Sequence, residues 1–74
     1  KMDIGTVYYV IMLDGRMFEE EVRVYGGEKI IHTTLMTTQD ITQAKVYTDC
    51  KDATRDAEHY GFEVKTVKID IKSL

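Results

Sequence analysis

Val7 to Leu13, VYYVIML, holds only β-branched, aromatic and long aliphatic side chains, with no breaker and no charge. It constrains the fold more than any other stretch. Such a run forms a strand. Successive side chains of a strand point to opposite faces, so Val7, Tyr9, Ile11 and Leu13 make one apolar face and Tyr8, Val10 and Met12 the other. A sheet covered by helix on one side leaves its second face to water and alternates accordingly. Here both faces need shelter, from the chain's own middle segment Leu35–Ile41 or from another chain. The second option is preferred, which makes Tyr8, Val10 and Met12 the expected interface of a homodimer or docking module.

Size sharpens that expectation. The chain has 74 residues, one domain over 1–74, and a domain this short buries only about 60% of its unfolded surface. Its own core supplies no more than about 3–5 kcal/mol, so a partner subunit is a natural supplement. An intrachain disulfide is ruled out because Cys50 is the only cysteine. A lone thiol suits a reducing, intracellular setting. No signal peptide is evident, and no apolar run approaches the roughly 20 residues of a membrane helix. Lys1 before Met2 reads as the remnant of an expression tag, with Met2 the natural start.

Asp14-Gly15 after the first strand is a strong hairpin signal, since both central residues of a type I′ turn need positive φ. The chain returns over Met17–Tyr25, with Phe18, Val22 and Val24 directed one way and Glu19, Glu21 and Arg23 the other. Gly26-Gly27 turns it again, and a third strand runs from Glu28 to about Thr34. Thr33–Gln43 (TTLMTTQDITQ) keeps no clean period and reads as a frayed strand end followed by a loop. Ala44–Thr48 reads as a short strand, Asp49–Tyr60 as the single helix and Phe62–Ile71 as the last strand. The expected class is α+β: a three-stranded antiparallel meander followed by a β-α-β unit, with one helix packed on one sheet face. Neighbouring strands of that unit would be parallel with a right-handed crossover.

The helix carries its own punctuation. Asp49 caps the exposed N–H groups, Asp52 three residues on resembles a capping-box partner, and Gly61 supplies the left-handed stop. Cys50, Ala53, Ala57 and Tyr60 form one stripe at helical spacing, so Cys50 is expected buried and structural. Two carboxylates at the helix start disfavour a phosphate there.

Chemistry-bearing patterns are weak. Asp52, Asp56 and His59 share a helix face that Arg55 and Lys51 also serve, and this describes a solvated, salt-bridged face better than a metal site. Cys50 and His59 lie about 13 Å apart along a helix, too far to share an ion. His32 has no spacing that marks it as a ligand or base. The sequence lacks a Walker loop, a dinucleotide-binding glycine pattern, a C-x-x-C pair and a nucleophile elbow. No catalytic residue, cofactor, metal or small-molecule substrate is expected, and the chain is read as a non-enzyme.

Thirteen acids against ten bases give a formal charge of −3, which disfavours direct nucleic-acid binding. The basic series Lys65, Lys68, Lys72 is interleaved with Glu63 and Asp70 and fits a solvated strand edge. The acidic surplus leaves an alternative open, an inhibitor of a host nucleic-acid enzyme that mimics DNA through Glu19, Glu21, Asp49, Asp52, Asp56 and Glu58; a metal- or thiol-dependent enzyme is the least favoured reading.

Lys45–Ile69, KVYTDCKDATRDAEHYGFEVKTVKI, resembles the tail of small phage and prophage proteins of Gram-positive bacteria. These carry a short strand, a T-D-x-x-D-A helix start, an alanine stripe and a Y-G-F-x-V exit. Thr48, Asp49, Asp52, Ala53, Ala57, Tyr60 and Gly61 match the pattern. The resemblance implies an α+β fold, a bacterial cytoplasm and a partner that is a second copy or a host or phage protein. It brings no activity with it.

Overall fold

At Asp14 and Gly15 the backbone takes φ of 51° and 77°, the pair of left-handed conformations that a two-residue hairpin needs. This turn joins β1 (Val7–Leu13) to β2 (Arg16–Gly26). A second turn, with Gly27 at φ 68°, leads to β3 (Lys29–Thr38). Helix α1 spans Cys50–Tyr60 and β4 spans Glu63–Lys68. The computed structural model describes residues 2–73, so the reading of Lys1 lies outside the described residues.

The class is α+β, with one four-stranded sheet of order β3-β2-β1-β4 in which every neighbouring pair is antiparallel. The expected meander is present as β1-β2-β3. The parallel β-α-β unit is not. β4 pairs with β1 in antiparallel register from Val7↔Lys68 to Met12↔Glu63, and Ala44–Thr48 forms no strand of its own. Instead Tyr47 makes an isolated antiparallel bridge to Tyr9.

That bridge explains the centre of the molecule. β1 and β2 pair only beside their turn, at Met12↔Met17 and Leu13↔Arg16. Beyond it they diverge, and the segment Lys45–Tyr47 fills the gap. Tyr47 exchanges both backbone hydrogen bonds with Tyr9, at 2.7 and 2.9 Å, while Lys45 N–H donates to the Phe18 carbonyl at 2.9 Å. The divergence starts at a bulge. Phe18 opposes Thr37 but Glu20 opposes Met36, so Glu19 is an extra residue in β2. Such an insertion bends the strand and shifts its facing by one. Phe18 therefore does not share a face with Val22 and Val24, as simple alternation predicts; it shares the helix-side face with Glu21.

Helix α1 lies against β1 and β4. Its alanines, Ala53 and Ala57, let it approach the sheet closely, and with Ile11, Phe18 and Tyr47 they form the core. Phe18, 2% exposed, stacks on Tyr60 at 4.8 Å between ring centroids and meets Phe62 edge-on at 5.8 Å. Full burial of an aromatic side chain of this size stabilises by about 2–3 kcal/mol.

β3 runs four residues beyond the expected end, to Thr38, because Thr33–Thr38 pairs along β2 rather than fraying. Asp40 then stops it. Its Oδ1 accepts from Thr42 N–H at 2.9 Å and from Thr42 Oγ1 at 2.7 Å, a side-chain-closed turn that holds the Asp40 carboxyl below the usual carboxylate range.

Candidate functional site

The residues expected to form an open interface are placed inside the chain. Val10 is 1% exposed and Tyr8 7%, and Met12 is half-buried. Tyr8 forms the floor of an open cleft of about 430 Å³, walled by Ile41, Ala44 and Val46 of the middle segment and by Met2 and Ile69 near the termini. Its hydroxyl accepts from the Asp3 N–H at 2.8 Å. The expectation of an uncovered face at Tyr8 and Val10 is therefore corrected. Once Lys45–Tyr47 enters the sheet, Ala44 and Val46 line that face with Tyr8, so the middle of β1, Tyr8–Ile11, is sheltered on two sides by its own chain while Val7 and Leu13 at its ends stay exposed.

The helix side holds a polar cluster. Tyr47 O–H donates to Asp56 Oδ2 at 2.7 Å, and Lys45 Nζ and Arg55 Nε stand 3.6 and 3.4 Å from the same carboxylate. The phenol hydrogen bond, helped by the two cations, lowers the Asp56 pKa, whereas burial and then the adjacent carboxylate push the Tyr47 phenol far up. Tyr60 is also raised, by burial first and then by the Glu21 and Asp56 charges. All of these partners are satisfied within the fold, so the cluster clasps the inserted segment to α1.

The other singled-out residues are spread. Asp49 caps α1 by accepting from Lys51 N–H at 2.8 Å, but Asp52 turns to Arg55 at 3.3 Å instead of completing a capping box. Cys50 is exposed, not buried; its Sγ lies 3.9 Å from the hydroxyl of exposed Thr54, one turn on, and outside the core cluster. His32 lies exposed on β3 with Nε2 2.8 Å from Thr34 Oγ1. Among the described residues no three His, Cys, Asp or Glu side chains are grouped to hold a metal. No helix among them is long and apolar enough to cross a membrane.

The feature that sequence reasoning missed is the distal half of the β2-β3 hairpin. Every residue from Val22 to Gly26 and from Lys29 to Thr33 is exposed, and the molecule measures 56 × 22 × 22 Å. The hairpin is an arm that extends past the helix. Cross-strand register places Val22 and Val24 opposite Thr34 and His32 on one face; Arg23 and Tyr25 lie on the other, opposite Thr33 and Ile30. At the tip, Tyr25 is 54% exposed and Ile31 68%. Arg23 grips Glu21 at 2.7 Å, which raises the guanidinium pKa and braces the root of the arm. One signal was available: both arm strands are apolar near Gly26-Gly27, and the single helix follows a segment too distant to reach them.

No protein-family model, no curated protein and no solved structure matches the chain.

Proposed function

We propose that the chain is a non-enzymatic protein-interaction module that binds through its β2-β3 arm. The observation that carries this reading is the exposure of Val22, Val24, Tyr25, Ile30 and Ile31 on a two-stranded ribbon that none of the described residues covers. An isolated ribbon is marginal in water, and clustered exposed apolar residues mark interaction sites. The resemblance of Lys45–Ile69 to phage and prophage proteins of Gram-positive bacteria supports a setting in the bacterial cytoplasm, with a host protein, a phage protein or a second copy as partner.

The DNA-mimic alternative is not favoured. Glu21 is paired with Arg23, Asp52 with Arg55, and Asp56 with Arg55 and Lys45, so cations interrupt the negative surface.

The test is capture from a bacterial lysate by the wild-type chain and by Ile31→Asp. A bound protein retained by wild type and lost by the variant is the expected result. Equal retention by both contradicts a role for the arm.

A further inference from the structure

The two edges of the sheet are built differently. β4, at one edge, has six residues and carries Glu63, Lys65 and Lys68. Charged side chains, lysine above all, are what keeps an exposed edge from pairing with another strand. β3, at the other edge, has ten residues, no proline, and Lys29 as its single charge. Its own extra residue is Ile31, where the register shifts, and the second shift of the pair, at Glu19 of β2, lies opposite Met36 and Thr37. At its far end Arg16 closes the strand by donating to the Thr37 carbonyl and hydroxyl at 2.8 and 2.9 Å. Between these points His32–Met36 pairs continuously with β2 and carries no lysine, arginine, aspartate or glutamate to guard its outer edge.

We infer that β3 pairs with β3 of a second copy of this chain, antiparallel about a two-fold axis at Thr34, to form one continuous eight-stranded sheet. The inference rests on the reading of the arm as the interaction surface and names its occupant. Three consequences of the β2-β3 register and of the β3 sequence favour a second copy over a foreign strand. Pairing about Thr34, the midpoint of the open run, sets Thr34 against its own copy, Thr33 against Leu35 and His32 against Met36, so no like charges meet. A two-fold axis normal to the sheet places like face beside like face, so the apolar surface of Val22, Val24 and Met36 continues across the junction. Finally, the pairing closes. It consumes both β3 edges and leaves only the charged β4 edges at the ends, so the assembly stops at a dimer instead of growing into a fibre.

Sedimentation of the full chain across micromolar concentrations tests this. The expected species has twice the 8.6 kDa chain mass. Thr34→Lys, which opposes two ammonium groups at the axis, should sediment as monomer with an unchanged circular dichroism spectrum, and Thr54→Lys on the exposed helix surface should remain dimeric. Thr34→Cys in a Cys50→Ser background gives an answer that survives poor folding of the lysine variant. Directly opposed strand residues lie within disulfide reach, so it should oxidise to a covalent dimer far faster than Thr48→Cys. A monomeric wild type, or a Thr34→Lys chain that stays dimeric, overturns self-pairing. Either result leaves the arm reading to the Ile31→Asp capture, whose failure would be separate.

Discussion

Tyr47 and Asp56 are joined by a 2.7 Å hydrogen bond from phenol to carboxylate, and this contact ties the segment inserted between β1 and β2 to the helix above it. Tyr47 is buried while the Asp56 side chain is 18% exposed. Tyr47→Phe keeps the packing and removes the donor, so it should cost about 1.5 kcal/mol, the range for a hydrogen bond to a charged group. Urea unfolding measures it as a lower midpoint with an unchanged slope. No change in midpoint would show that the clasp is idle.

The same pair sets a pH dependence with two arms. Asp56 has a depressed folded pKa, so its contribution is present above the unfolded value of about 3.9 and is lost as the pH falls through the folded one. Tyr47 is raised, so its contribution is complete below the unfolded value of about 10 and is lost as the pH rises from there. Tyr47→Phe should flatten both arms and leave a smaller alkaline loss from Tyr60, which is also raised. Stability measured by urea unfolding from acid to alkaline pH checks the signs.

Gly61 ends α1 at φ 79°, where its N–H donates to the Ala57 carbonyl at 2.8 Å. A Cβ there would meet nothing within 4 Å, so Gly61→Ala isolates the backbone cost of the left-handed conformation. The expected loss is about 1 kcal/mol, read by thermal or urea unfolding. A neutral result would mean that the helix ends without needing this conformation.

Core and arm should separate cleanly on substitution. Phe18→Ala removes the ring that stacks on Tyr60 and should cost about 3–5 kcal/mol, enough to unfold much of the population of so small a domain. Ile31→Asp lies 68% exposed and should change stability by less than about 0.5 kcal/mol while abolishing binding. Circular dichroism and urea titration of both variants check the contrast.

Local signals were legible where they are closed by neighbouring residues. Asp14-Gly15 announced its turn, Asp49 its cap and Gly61 its stop, and each does what the spacing predicts. The two-sided apolar character of β1 was also legible, but not what covers it, because the shelter of Tyr8 comes from residues more than thirty positions away, at Ile41–Val46. The Glu19 bulge was hidden for a related reason. A bulge is defined by the partner strand, and the sequence of β2 alternates as though none were there. The exposed arm was half legible: the apolar residues beside Gly26-Gly27 and their distance from the helix stand in the sequence, but that they stay bare depends on α1 sitting over β1 and β4.

Amide hydrogen exchange along β3 as a function of protein concentration tests the self-pairing arm most directly. If β3 pairs with its own copy, part of His32–Met36 exchanges freely in dilute solution and becomes protected as concentration rises, while β4 amides stay constant. Exchange along His32–Met36 that is the same at every concentration would contradict it.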